Sequence, residues 1–295
     1  MNANFDIKRV AVIGAGQMGI GIAQVCAQAG ITVLLNDISR DALHSGFDKM
    51  KANLERLCAR EKATHQDVSA TLARISLVDA FSGLGSADLV IEAATESETV
   101  KAQIFSSLMR HLRPETIVAT NTSSISITRL ATISQRPEHF LGVHFMNPVP
   151  QMNLVEIIRG IATNAATFEI VQNFVGRIGK TATVSEDYPA FVVNRILIPM
   201  INEAVFTLYE GVGSIASIDA SMKLGANHPM GPLELADFIG LDTCLAIMTV
   251  LNNGLNDPKY RPCPLLMKYV DAGWLGRKSG RGFYDYRQTP PMPTR

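Results

Sequence analysis

Through about residue 185 the chain repeats one texture, and that texture decides most of what it can fold into. Short unbroken runs of Val, Ile and Leu ("RVAVIG", "TVLLND", "ADLVIEAA", "TIVATNTS", "FLGVHF" and "NLVEIIR") alternate with segments whose apolar residues recur at helical spacing, such as "SETVKAQIFSSLMRHL". A strand that is apolar at nearly every position must be buried on both faces, which happens when helices cover the sheet above and below. Linking such strands through helices makes neighbours parallel. The expected first domain is therefore α/β, a doubly wound and mostly parallel sheet. After "SEDYPA" the runs become longer and helical, as in "INEAVFTLYEGV" and "IGLDTCLAIMTVLNNGL", with no clear strand left. The expected domains are residues 1–185 and an all-helical 186–295, with only the tail "QTPPMPTR" expected to be disordered.

One connection is unusually long. Residues 39–68 carry an amphipathic helical pattern, basic in its middle, between the second and third strands. Its residues alone describe a solvated helical hairpin inserted into the first domain.

The first strand runs into Gly14-x-Gly16-x-x-Gly19, which opens a helix. In that order the first glycine makes a tight turn, the second admits a pyrophosphate to the backbone, and the third lets helix and strand pack closely. The free N–H groups of the helix N-terminus then face the phosphates. A lone pattern of this kind is weak, but here the second strand ends in Asp37, eighteen residues past Gly19. A carboxylate there accepts hydrogen bonds from both ribose hydroxyls and repels a 2′-phosphate, so NAD is expected. Arg40 offers a counter-charge for that phosphate, which keeps NADP as the alternative.

Bulk properties exclude several other classes. Lys plus Arg equals Asp plus Glu at 27 each, which gives no electrostatic reason to expect a nucleic-acid or anionic-membrane partner. No uncharged run of eighteen apolar residues occurs, so no transmembrane helix is expected, and the N-terminus lacks the features of a signal peptide. Cys26, Cys58, Cys244 and Cys263 are widely spaced with no CxxC pair. They read as reduced packing residues of a cytoplasmic protein, with no metal site.

Chemistry concentrates in "HFMNPVPQMNLVE". His144 and Glu156 lie twelve residues apart, on two apolar runs separated by Pro148 and Pro150. A hairpin-like reversal puts them on facing strands. There an imidazole suits the base of an alcohol oxidation, and a carboxylate on its other nitrogen fixes the tautomer and stabilises the cation. A core histidine bonded to a structural glutamate is the competing reading. "TNTSSIS", residues 120–126, sets hydroxyls at the C-terminal end of a strand, where open α/β sheets bind ligands, although a Ser- or Thr-capped turn has the same composition. "FVVNRIL" puts Asn194 on the first long helix of the second domain.

From about Lys8 to Tyr286 the chain resembles the 3-hydroxyacyl-CoA dehydrogenases, especially the bacterial 3-hydroxybutyryl-CoA dehydrogenases. The motifs that carry the resemblance are "GAGQMG", "NTSSISI", "HFMNPVPQMNLVE", "FVVNRIL", "NHPMGPLELADFIGLD" and "GRKSGRGFYDY", in the family's order. It implies a Rossmann-type NAD domain and reversible oxidation of (S)-3-hydroxyacyl-CoA, with His144 as general base and Glu156 as its orienting partner. By the same resemblance Ser123 and Asn194 contact the reacting part of the substrate. Glu96, Lys101 and Lys278 match positions that touch the nicotinamide half of the cofactor. The hairpin after the second strand matches a CoA-contacting excursion, with Asn53 and Arg60 as the corresponding residues. The apolar C-terminal helices suggest a homodimer. Ala190 departs from the pattern, since the family usually has glycine before "FVVNR". Two further readings stand beside this one: a relative oxidising a free hydroxy acid, as a gulonate 3-dehydrogenase does, and a crystallin-like protein that keeps the NAD site without catalysis.

Overall fold

The computed structural model describes residues 5–295. The chain divides into two compact units after Tyr188. The first unit carries β1 (Arg9–Ile13), α1 (Gln17–Gln28), β2 (Thr32–Asn36), α2 (Arg40–Ala59), α3 (His65–Ala73), β3 (Ile75–Val78), β4 (Leu89–Glu92), α4 (Glu98–Leu108), β5 (Ile117–Thr120), α5 (Ile127–Ile133), β6 (Phe140–Phe145), β7 (Leu154–Arg159), α6 (Ala165–Arg177) and β8 (Thr181–Glu186).

These strands form one sheet in the order β3-β2-β1-β4-β5-β6-β7-β8. Every neighbouring pair is parallel except β6 with β7. The unbroken apolar runs are its centre: Val10, Val12, Leu89, Val90, Ile91 and Val143 are wholly buried. Fully burying such a side chain contributes roughly 1.5–3 kcal/mol, so the middle strands hold the sheet. The doubly wound α/β architecture is the one expected. Strand order reverses between β1 and β4, and the crevice outside their carboxyl ends is where this topology binds ligands.

The hairpin after β2 is longer than expected, running to Ala73. Ser39 caps α2 through the Ala42 N–H, and Thr64 caps α3 in a reciprocal arrangement with Asp67. The 146–153 connection between β6 and β7 turns at Pro148, whose carbonyl accepts from the N–H groups of Gln151 and Met152.

The second unit contains α7 (Val193–Tyr209), α8 (Ile215–Gly225), α9 (Pro232–Ile239), α10 (Leu241–Leu255) and α11 (Pro264–Asp271). The expectation of no strand and a disordered tail is corrected here. β9 (Tyr284–Asp285) pairs antiparallel with β10 (Met292–Pro293), and Thr294 Oγ1 donates to the carbonyls of Gly282 and Phe283. Strands of two residues leave no periodicity to read, and Pro293 is the tail proline that lies in the ribbon.

Two buried carboxylates organise this unit. Asp219 accepts from the N–H groups of Leu233 and Glu234 and from the Tyr284 hydroxyl; Asp237 accepts from the N–H groups of Phe283 and Tyr284 and from the Tyr286 hydroxyl. A Cβ on Gly231 would overlap Asp219, and one on Gly282 would overlap Asp237. "NHPMGPLELADFIGLD" and "GRKSGRGFYDY" are thus the two halves of one internal clamp. Burial pushes the Asp237 carboxyl up to about 6 against the pull of these donors. Ala190, where glycine was the expectation, has φ +63 and is fully buried. An L-residue in that left-handed region costs roughly 1–2 kcal/mol that glycine avoids.

Candidate active site

The glycine fingerprint folds as its chemistry requires. Gly14 has φ +105, and a Cβ there would stand 2.6 Å from the Ala93 carbonyl oxygen. A Cβ on Gly19 would overlap the Gly14 carbonyl, so α1 could not approach β1. Gly16 has open space within 4 Å on its Cβ side and caps α1 without a side chain, leaving first-turn N–H groups to a ligand. A cleft of about 800 Å³ opens here, lined by Gly14, Gly16, Asp37, Asp79, Ala94 and Ile104 among others. Asp37 is held at its wall because its two oxygens accept from the N–H groups of Ala15 and Ser39, at 2.8 and 2.9 Å. Arg40, the counter-charge considered for NADP, lies 4.0 Å from the Asp79 carboxylate. An anionic wall, an open glycine face and a helix N-terminus fit NAD.

Behind the Ala93, Ala94 and Thr95 lining of the cleft, the end of β4 builds a charged cluster. Glu92 is wholly buried and Lys101, on α4, is 1 % exposed. The Lys101 ammonium donates to both Glu92 oxygens at 2.7 and 2.9 Å, and Thr120 donates to one of them at 2.6 Å. Glu96 lies 3.7 Å from the same ammonium. One Glu96 oxygen accepts from the Thr122 hydroxyl, the Ser123 N–H and hydroxyl, and the Ser124 hydroxyl, at 2.7–3.1 Å. Burial pushes the Glu96 carboxyl up, but the Lys101 ammonium and the Thr122 and Ser123 donors outweigh it, and it lies below its ordinary value. Ser123 is therefore positioned by an ionised acceptor. Asn121 Oδ1 accepts from the Phe145 N–H, tying this loop to the end of β6.

His144 and Glu156 stand directly opposite in the antiparallel β6–β7 register. Opposed residues on such strands project to the same face. His144 Nδ1 and Glu156 Oε2 are 2.8 Å apart, with His144 7 % exposed and Glu156 wholly buried. A carboxylate facing Nδ1 assigns the proton to that nitrogen, so the neutral ring carries its lone pair on Nε2.

A second groove, about 400 Å³, lies between the glycine turn and α2 and is lined by Gly16, Gln17, Lys49, Asn53 and Arg56 among others. Arg56 donates to Asn53 at 3.3 Å. Arg60 caps the end of α2, one turn further along the same stripe, and is not among the lining residues. In the second unit, Asn194 stands half-buried in the first turn of α7, and Lys278 donates to Asp242 at 2.7 Å.

Comparison with known proteins matches residues 9–188 to the 3-hydroxyacyl-CoA dehydrogenase NAD binding domain and residues 191–286 to the 3-hydroxyacyl-CoA dehydrogenase C-terminal domain. The chain belongs to the 3-hydroxyacyl-CoA dehydrogenase family. It is 63% identical over 289 residues to a 3-hydroxybutyryl-CoA dehydrogenase of Bradyrhizobium diazoefficiens, covering 98% of this chain and 99% of that one. A probable 3-hydroxybutyryl-CoA dehydrogenase of Bacillus subtilis is 53% identical over 96% of this chain and 99% of its own length. The crystal structure of (S)-3-hydroxybutyryl-CoA dehydrogenase from Ralstonia eutropha superposes with a TM-score of 0.94 at 48% identity, covering 96% of this chain and all of that one.

Within this 3-hydroxyacyl-CoA dehydrogenase, the first unit brings together Gly14, Gly16, Gly19 and Asp37 around one cleft, and Glu96, Lys101 and Ser123 in one cluster. It pairs His144 with Glu156. Sequence reasoning missed Glu92, Lys49 and Arg56, and took Thr120 as one of the loop hydroxyls where it donates to Glu92. Glu92 had a readable signal: it is a lone charge on "LVIE", a strand otherwise apolar throughout, and a carboxylate in such a place needs a partner. Lys49 and Arg56 share a helical face with Asn53, four before and three after it.

Proposed function

We propose that the chain catalyses the reversible NAD-dependent oxidation of (S)-3-hydroxyacyl-CoA, with short chains such as 3-hydroxybutyryl-CoA preferred, to 3-oxoacyl-CoA. The observation that carries this reading is the buried His144–Glu156 pair, in register on two strands of a sheet that also bears the dinucleotide cleft. NAD+ held by Gly14, Gly16, Gly19 and Asp37, with Glu96 and Lys101 toward its nicotinamide half, supplies a hydride acceptor. His144 takes the C3-hydroxyl proton on Nε2 while its Nδ1–H stays on Glu156, whose charge stabilises the imidazolium. In the reverse direction the imidazolium returns that proton to the carbonyl oxygen. Ser123, held by Glu96, orients that oxygen; the family resemblance assigns Asn194 to the substrate and Lys278 to the cofactor. Lys49, Asn53 and Arg56 offer a cationic groove for the phosphates of CoA, with Arg60 extending the stripe.

A homodimer through the second unit is part of the same reading, supported by the exposed apolar side chains of Ile196, Val212 and Leu224. So is a cytoplasmic location, supported by four free cysteines, three of them buried. A two-domain division of roles follows it: residues 1–185 for the cofactor, with the hairpin from residue 39 onward for CoA, and 186–295 for substrate and dimer contacts. The test is NADH oxidation with acetoacetyl-CoA beside free acetoacetate. Turnover of the thioester alone supports the proposal; equal turnover of the free acid favours a hydroxy-acid dehydrogenase, and none with either favours a binding protein.

A further inference from the structure

Glu92 and Lys101 do more than satisfy each other. The ammonium is engaged by both Glu92 oxygens at 2.7 and 2.9 Å and stands 3.7 Å from Glu96. Two carboxylates therefore share one cation, and the cluster carries one surplus negative charge. Glu92 and Lys101 are almost wholly out of water, so solvent screens their field weakly. Between Glu92 and Glu96 the chain passes through Ala93, Ala94 and Thr95, all of which line the dinucleotide cleft. Asp37 marks the adenosine side of that cleft, so the cluster lies toward the other nucleotide half.

We propose that the Glu92–Lys101–Glu96 cluster is an electrostatic bias on the cofactor's oxidation state, with Glu92 as a positioning residue that supplies the surplus charge. The nicotinamide ring is a cation in NAD+ and neutral in NADH. A net negative charge beside it favours the oxidised form, and every contact common to both forms cancels from the ratio of their affinities. This rests on NAD binding in the cleft as proposed above, and it adds a role for a residue that touches neither substrate nor cofactor. Charge–charge coupling through a protein interior, at an effective dielectric of about 20–40, makes one unit of charge worth about five- to thirtyfold in that ratio.

The test is the ratio of dissociation constants for NAD+ and NADH, measured on the full chain by calorimetry and NADH fluorescence without acyl-CoA. Glu92→Gln brings the cluster to neutral and weakens NAD+ relative to NADH by about that factor. Lys101→Met brings it to two negative charges and shifts the ratio the other way. The double variant restores the original charge and returns the ratio toward that of the unmodified protein. Thr120→Val removes a hydrogen bond to Glu92 without changing charge and leaves the ratio alone. If Glu92→Gln does not fold, Lys101→Met against the double variant reads the same unit of charge between two proteins that differ only at position 92. Equal ratios across variants of different charge, or a shift in Thr120→Val as large as in Glu92→Gln, overturn the proposal. Failure of the unmodified chain to bind either nucleotide overturns the functional reading instead.

Discussion

Replacing Glu156 with glutamine tests the centre of the site. Gln keeps an amide oxygen that can accept from His144 Nδ1 but loses the charge facing it at 2.8 Å. With about 4 Å between charge centres and an effective dielectric near 20, a carboxylate stabilises an imidazolium by about 4 kcal/mol. If the proton is about half transferred at the transition state, roughly 2 kcal/mol of that is lost, or about thirtyfold in rate. The amide brings a second penalty, because its NH2 group can turn toward Nδ1 and favour the tautomer that protonates Nε2. Together these place the fall in kcat at roughly 10²–10³, close to the 10²–10⁴ expected for His144→Gln, which removes the base altogether. The assay is steady-state oxidation of 3-hydroxybutyryl-CoA at saturating NAD+, with NADH affinity measured in parallel. Affinity stays within a few-fold, since Asp37 and the glycine turn lie on other strands. A folded Glu156→Gln protein with kcat within threefold of the unmodified chain refutes the reasoning and makes the pair structural.

Five other substitutions probe the remaining parts. Asp37→Ala removes an ionised acceptor at the cleft wall; kcat/KM for NADH falls about ten- to a hundredfold and the preference over NADPH relaxes, as paired assays with the two nucleotides will read. Lys49→Ala and Arg56→Ala, on the groove beside the glycine turn, raise KM for acetoacetyl-CoA about three- to tenfold with kcat unchanged, and Arg60→Ala does so less. A substrate lacking the 3′-phosphate should lose less in these variants, and equal losses for both substrates indicate damage to the hairpin fold. Burial holds Asp237 near 6 against an ordinary 3.8, so the folded state takes up a proton that the unfolded chain does not between those values. Its contribution to stability therefore rises as pH falls from about 6 toward about 4, and the denaturation gap between the unmodified protein and Asp237→Asn widens from pH 7 to pH 5; a gap independent of pH contradicts the assignment.

Sequence and structure agree where burial is total. β1, β4, β5 and β6 are buried at almost every position and read as unbroken apolar runs, whereas the edge strands β3 and β8 carry half-exposed mixtures such as "TATVSE" with no run to find. His144 and Glu156 were legible because a proline-marked reversal fixes which residues can face each other. Lys49 and Arg56 were not, since a basic amphipathic helix looks alike whether its cations face water or line a groove. Glu92 was legible only as a lone charge on an apolar strand: the sequence shows that it needs a partner, and the fold shows that the partner is Lys101, one turn into the next helix. Ala190 was visible as a departure, but only the backbone angle shows what it departs from.

The antiparallel register of β6 and β7 makes the length of the 146–153 connection a quantity inheritance cannot adjust one residue at a time. Deleting a single residue there and re-pairing the strands would bring Val155 or Ile157 opposite His144 and send the carboxylate to the other side of the sheet. The sheet would still form, because both neighbours are apolar and suit a buried strand. Such an allele would separate the base from its carboxylate and leave Glu156 buried without that partner, so activity and stability would fall together. Point changes among these eight residues are forgiven in a way that frameshifting the pairing by one is not. The tip of the α2–α3 hairpin, which sets no such parity, is where insertions and deletions should accumulate.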